Sequence, residues 1–340
     1  MVVLVYIAFF GRIVFPEFSL KPGWVRQFDG SGVRTEGDFK QSIPCRFSGY
    51  FGYFLPDGTI LYSGKTLYGT AVDTRGFVNY SSINSGLLVR YPDGSVRGII
   101  GLSGYPLFRG GERFMLSADE NTLTFLDEQD QPRWHITFNS LITAVSVADG
   151  YVLTGTLNDG AVLLDTEGKK LFAYTPKAGR INIVYGVRVS PAGKNLLIVS
   201  GIDPQVVTLF KRHDNEYRRE YSLRLGTALR HPVMSVFSRD GKTALIEREK
   251  SIMLLDIPGR NLVTIPLGGT LYSFIPGDSR RLLYTASGAD GVTDFAAFTQ
   301  AGMKVFSFSL SGNRPFMEAV DSSLYVGIGT RLMRLDMVEQ

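Results

Sequence analysis

The chain has 340 residues, of which 44% are apolar, 12% aromatic and 20% charged, and 38 are glycine, a composition that excludes disorder and suits a large folded core. Its 36 basic and 32 acidic residues leave a formal charge of +4 spread along the sequence, so nothing marks it as a binder of nucleic acid. Cys45 is the single cysteine, which excludes an intrachain disulfide and any cysteine-built zinc or iron–sulfur site.

The chain opens on an uncharged run from Met1 to Phe10, followed by Gly11, Arg12 and further apolar residues to Phe15, then Pro16 and Glu17. That is short of the ~20 residues a membrane-crossing helix needs and closer to the apolar core of an export signal. No basic residue precedes the run and no small-x-small cleavage pattern follows it. Residues 1–20 are therefore expected to be an export signal or an uncleaved anchor, which places the protein in the cell envelope, membrane-anchored or periplasmic. The alternative is a buried strand or helix in a cytoplasmic protein. Residues 21–340 form the second unit.

From residue 20 onward, short runs of Val, Leu, Ile, Phe and Tyr are broken by Gly, Asp, Asn or Pro, and no long stretch keeps a capped helical period. This is the grammar of strands and turns. The clearest unit runs Val162, Leu163, Leu164, Asp165, Thr166, Glu167, Gly168 into Lys169, Lys170, Leu171 and Phe172; Met253 to Gly259, leading into Arg260 to Val263, repeats it. Taking the residue three before each turn pivot as a mark gives Tyr91, Asp127, Asp165, Lys211, Asp256, Thr299 and Asp336, spaced by 36, 38, 46, 45, 43 and 37 residues. Three positions after the first six stand Gly94, Asp130, Gly168, Asp214, Gly259 and Gly302, the residue types that tolerate the positive φ of a tight hairpin.

A period of about 41 residues is what four short strands and their turns require in a β-propeller. Seven marks predict seven four-stranded blades, with six or eight possible because residues 40–85 carry the weakest register. The apolar stretches Arg113 to Ser117, Tyr151 to Gly155, Asn195 to Ser200, Thr243 to Glu247, Arg281 to Thr285 and Ser323 to Gly327 are expected as innermost strands around the axis. The last mark lacks a following outer strand, and Trp24 to Phe28 resembles the outer strand Trp134 to Phe138. An N-terminal strand completing the C-terminal blade would close the ring and remove its open edge.

The passage from Tyr105 through Pro176, with "SADENTLTFLDEQDQPRWHITF" followed by "VADGYVLTGTLNDGAVLLDTEGKKLFAYTP", resembles the quinoprotein-type (PQQ-like, WD40-like) propeller repeats, in a non-enzymatic branch that includes bacterial outer-membrane assembly propellers. The Trp-Asp and Gly-His dipeptides of the WD40 type itself are absent. The enzymatic members are implied to use a vicinal disulfide and calcium ligands. One cysteine, and only Trp24 and Trp134 to stack, argue against quinone-dependent chemistry.

No catalytic, cofactor-binding or metal-binding residue is predicted, and no cofactor. His135, His213 and His231 lack metal-ligand spacing, and His135 is expected to be packed beside Trp134. No Gly-x-Ser-x-Gly elbow occurs, and Gly101 to Gly111 lacks the ending of a phosphate loop. The charged run Lys211, Arg212, His213, Asp214, Asn215, Glu216, Tyr217, Arg218, Arg219, Glu220 is expected as a solvated hairpin, and Glu247, Arg248, Glu249, Lys250 as a paired-charge turn. Asp119, Glu120, Asn121 and Asn158, Asp159, Gly160 are expected in tight turns. The expectation is a monomeric, non-catalytic scaffold that binds a protein or cell-envelope partner. Its rival is an enzyme or small-ligand binder assembled at the central channel, which linear motifs cannot reveal.

Overall fold

In the computed structural model the described residues are 18–35, 37–83, 85–177, 182–226, 229–276 and 282–339. The apolar run at residues 1–15, and with it most of the expected signal or anchor, lies outside them. Thirty-two strands form eight four-stranded antiparallel sheets, and the only helical elements among the described residues are two short 3-10 turns, Phe39–Gln41 and Pro191–Gly193. The molecule is an all-β propeller of eight blades, not seven.

Blades 2 to 7 follow one rule. Each occupies a continuous stretch (69–100, 105–137, 142–174, 184–224, 235–266 and 270–311) whose four strands lie in chain order from axis to rim. The first strands of successive blades pack side by side around the axis, for example Ile142–Ala148 against Val184–Val189 and Val184–Val189 against Ser235–Phe237. This corrects the expectation that Tyr151 to Gly155 and its equivalents are innermost: they are second strands. Their uniform burial comes from being covered on both edges and both faces, whereas a strand at the axis has one edge on the channel and can carry polar residues.

Eight apolar clusters hold the ring, and each joins two successive blades. Blades 5 and 6 share an aliphatic cluster around Leu197, Val207 and Leu255, whereas blades 8 and 1 meet through Phe28, Phe47, Phe54 and Tyr325. Burial of this kind stabilises by roughly 25 cal/mol per Å². Because every blade contributes to two clusters, no blade can leave without exposing both.

Blade 8 takes three strands from 316–339 and its outer strand from Phe18–Gln27, so the two chain ends pair, with Trp24 opposite Arg334 and Gln27 opposite Arg331. Trp24 then reaches into blade 1: its Nε1 donates to Pro56 O at 3.0 Å, as Trp134 Nε1 of blade 3 donates to Thr166 O of blade 4 at 2.8 Å. A Cβ on Gly58 would press on the Trp24 ring just as one on Gly168 would press on Trp134. The turn Leu55-Pro56-Asp57-Gly58 is thus the counterpart of Asp165-Thr166-Glu167-Gly168, the hairpin between third and fourth strands.

That equivalence explains the blade count. Leu55 is an eighth register mark, 36 residues before Tyr91. The strands around it, Ile43–Phe47, Tyr50–Phe54 and Ile60–Lys65, stand where other blades have their second, third and fourth strands. No strand precedes them on the axis side: Ser31–Arg34 instead pairs on the outside of Ile60–Lys65. The turn at Ser48 sits beside Arg314 and Gly329 of blade 8, at the end of the ring where second strands turn into third strands elsewhere. Blade 1 is therefore a blade whose inner strand has been replaced by an outlying one. Without the usual first hairpin, its stretch of sequence carries the weakest repeat signal.

Positive φ is found at Gly94, Asp130, Gly168, Asp214 and Gly302, as one backbone demand requires. At the sixth mark the demand falls one residue later, on Arg260 with φ 56° rather than on Gly259.

Candidate functional site

Blade 2 differs from its neighbours first in how it is bolted down. Arg113, fully buried on the second strand of blade 3, forks onto Asp73 of blade 2, with Nε to Oδ2 at 2.8 Å and Nη2 to Oδ1 at 2.7 Å. Its Nη1 donates to Asp130 Oδ1 at 2.8 Å, Arg97 of blade 2 approaches the other Asp130 oxygen at 3.2 Å, and the guanidinium lies 4.4 Å from the Phe108 ring centroid. Burial alone would push the Arg113 guanidinium down, but the two carboxylates outweigh it and hold it above its usual value. Arg75 stands 3.7 Å from Asp73 as well, and three cations around two anions, with the planar fork of Arg113 at the centre, make this ion network one the interior can hold. The turn rule accounts only for the backbone of Asp130; the sequence signal for its buried role is Arg113 itself, a charge in the strand Glu-Arg-Phe-Met-Leu.

Above this anchor, blade 2 shows apolar side chains to solvent. Of the twelve large apolar residues exposed among the described ones, six fall between 67 and 99: Leu67, Tyr68, Leu88, Tyr91, Val96 and Ile99, with Tyr68 at 65% and Val96 at 56%. Leu67 and Tyr68 lead into the first strand, where Tyr68 packs on Tyr80 with ring centroids 5.9 Å apart. Leu88 and Ile99 face one another across the third and fourth strands, and Tyr91 and Val96 flank the hairpin at the far end. Four of the six lie on the two outer strands and their hairpin and two lead into the first strand, and this share of one blade's exposed side chains suits a contact surface.

The central channel holds a cavity of 620 Å³ lined by the first strands of blades 3 to 7. Its polar side chains are Arg109, Arg188, Thr143, Tyr185, Ser235 and Ser273, and none of the described residues lining it is a carboxylate. Acid–base hydrolysis, which needs converging carboxylates or a nucleophile and base, has no constellation here. Among the described residues no group of three or more His, Cys, Asp or Glu side chains is gathered to hold a metal.

The sequence-predicted candidates are dispersed. His135 is exposed on the rim strand of blade 3, not packed, because alternation turns Trp134 toward Phe125 and His135 away. The run 211–220 is a solvated hairpin whose charges pair with each other: His213 with Glu220 at 2.9 Å and Arg218 with Glu216 at 3.3 Å. Glu247 is not in a turn; it is buried and accepts from His231 Nε2 and Met234 N, each at 2.9 Å, leaving Glu249 and Lys250 as the turn. Residues 119–121 and 158–160 do form turns, with Glu120 at φ 56° and Asp159 N donating to Thr156 Oγ1. Gly101 to Gly111 crosses from blade 2 into the first strand of blade 3. Cys45 is buried between blades 8 and 1, and burial pushes its thiol well above the usual value, so it is inert.

Comparison with known proteins places these features in context. The chain is 22% identical over 306 residues to an uncharacterized protein of Treponema pallidum (strain Nichols), covering 90% of this chain and 81% of that one. In three dimensions it is similar to BamB from Moraxella catarrhalis, with a TM-score of 0.63 at 12% identity, covering 94% of this chain and all of that one. A chain of a mitotic checkpoint complex matches with a TM-score of 0.57 at 12% identity over 97% and 95% of the two chains. The dihydro-heme d1 dehydrogenase NirN matches with a TM-score of 0.54 at 16% identity, over 75% of this chain and 58% of its own. These likenesses carry the fold and leave the quinoprotein and WD40 labels unassigned. A model of a β-propeller protein family matches residues 1–340 throughout, and the chain belongs to that family.

Proposed function

We propose that this protein is a non-catalytic scaffold of the cell envelope, exported or held at the membrane by residues 1–20, which binds a protein partner along the outer side of blade 2. The observation that carries the reading is the clustering of exposed apolar side chains on that blade, set on a rigid base by the buried Arg113 network. The likeness to BamB, and to a propeller that sits within a checkpoint complex, is consistent with a ring that works by contact. Among the described residues no helix is long and apolar enough to cross a membrane, and the attachment proposed here is through the N-terminal run.

The test is affinity capture from the envelope fraction of the source cells, using the full chain and a Tyr68→Ser/Leu88→Ser/Ile99→Ser variant. A partner retained by the first and lost by the second is the expected result. Equal retention by both, or none by either, refutes docking on blade 2. Cell fractionation with and without residues 1–20 tests the address separately: if both forms stay in the cytosol, the envelope assignment is wrong.

A further inference from the structure

The central cavity has a charge pattern that the scaffold reading does not use. Arg109 ends the first strand of blade 3 and Arg188 lies near the end of the first strand of blade 5, and both line the same 620 Å³ space. Among the described residues neither forms an ion pair, and Arg188 Nε is buried without a hydrogen-bond partner. Ser235 Oγ, from blade 6, lines the same cavity and is also buried and unpartnered. Arg46, on the strand that blade 1 turns to the axis side, donates through Nη1 to Thr70 O of blade 2 at 2.6 Å and stands close enough to act on Arg109. Two guanidinium groups from two blades thus line one cavity with no carboxylate among its described lining residues, and a third, Arg46, acts on Arg109 from blade 1.

Arg109 opens to the channel and Arg188 is half-buried with its Nε withdrawn from water, so the cost here is that of like charges brought together without a counter-ion. The consequence is visible in their proton affinity. Burial first, then the nearby Arg109, pushes the Arg188 guanidinium down to about 10; burial first, then Arg46, lowers that of Arg109. The fully buried Arg113, by contrast, is compensated by Asp73 and Asp130. Among the described residues the channel arginines have no such partners, and they stand where several blades converge and a ligand could be held on all sides.

We propose that the central channel is a binding site for a small multivalent oxyanion, one bearing phosphate or carboxylate groups, clamped between Arg109 and Arg188 with the Ser235 hydroxyl as a further donor. Planar guanidinium forks match such groups in pairs, and a cavity of this volume takes a ligand of small-molecule size rather than a folded segment. The site is independent of the blade 2 surface.

The test measures binding of inorganic phosphate, pyrophosphate and citrate to the full chain by calorimetry, with melting temperature in parallel and chloride as the reference ion. At least one of the multivalent anions is expected to bind and to raise the melting temperature, with affinity falling as salt rises. Arg188→Gln and Arg109→Gln are each expected to weaken binding tenfold or more, while Arg218→Gln, on the exposed hairpin of blade 5, leaves it unchanged. In anion-free buffer Arg188→Gln should melt no lower than the native chain, since it removes a repulsion; a variant that melts lower shows that the arginine is structural and overturns the proposal. Failure of all three anions to bind also overturns it, including the case in which only an acidic peptide binds. So does binding that Arg109→Gln and Arg188→Gln leave intact.

Discussion

Blade 2 and blade 5 are built on the same four-strand plan and finish in opposite ways. In blade 5 the third and fourth strands, Val206–His213 and Glu216–Arg224, pair along eight residue positions, and their projecting hairpin is covered by charges that neutralise each other. In blade 2 the third strand is tied to the second by a single aligned pair, Phe77 with Arg90, and the outer side is apolar. A self-satisfied rim has little to gain from a partner. A rim of exposed Leu, Ile, Val and Tyr does, and the contrast shows that the fold leaves each blade free to carry its own surface chemistry as long as its two core clusters are intact.

The comparison can be broken most forcefully at the anchor of blade 2. Arg113→Ala removes the fully buried guanidinium from two carboxylates, leaving Asp130 with Arg97 and Asp73 with the more distant Arg75, and is expected to cost about 3 kcal/mol in chemical denaturation, with blade 2 losing amide-exchange protection before blade 5. Uniform loss across the ring would show that blade 2 is not separately held. Next in size is the docking surface: Tyr68→Ser with Ile99→Ser should reduce partner affinity by about 2 kcal/mol or more if these are anchor residues, while moving stability by ~0.5 kcal/mol at most. Trp134→Phe, which keeps the stack on Phe125 but deletes the donation to Thr166 O, is expected to cost ~1 kcal/mol in the same denaturation experiment.

The smallest effect belongs to blade 5. Hydrogen bonding to His213 holds the Glu220 carboxyl below its usual range. A carboxyl so held contributes stability above its unfolded pKa, near 4, and loses it as pH falls through the folded value. Glu220 is a partly exposed rim residue, so the expected contribution is a few tenths of a kcal/mol. Glu220→Gln should flatten the acid limb of a melting-temperature profile by that amount, and a larger change would mean the blade 5 hairpin is less self-contained than its geometry indicates.

How far the sequence discloses this molecule depends on whether a feature is local. Hairpins at Tyr91, Asp165 and Thr299 are legible because positive φ selects Gly or Asp at a fixed offset. The eighth, Leu55-Pro56-Asp57-Gly58, obeys the same rule, but it stands in a blade whose first strand is missing from its usual place, so the surrounding period fails. Second strands read as first strands in the sequence because burial, which sequence reports well, peaks one strand away from the axis. Asp130 illustrates a different limit: its backbone role is legible, and its buried partnership with Arg113 is not, since that pairing joins the second strand of blade 3 to its outer hairpin, and the further link to Asp73 is set by how blades 2 and 3 abut. Arg46, Arg109 and Arg188 share no spacing at all, because the ring alone brings them together. The apolar side of blade 2 could have been noticed as Leu88 and Ile99 amid strand residues, but nothing in their pattern says which face stays uncovered.

The pairing of Phe18–Gln27 with Arg331–Glu339 also has a consequence in time. Gln27 and Arg331 are 304 positions apart, which at a synthesis rate of ~5–20 residues per second separates their emergence from the ribosome by about 15–60 s. Through that interval the first strand has no ladder to join, and Trp24 and its neighbours present an open edge of the kind that invites wrong pairing. The strand Phe18–Gln27 needs shelter longest, and the circle can be sealed only once Arg331–Glu339 has been made.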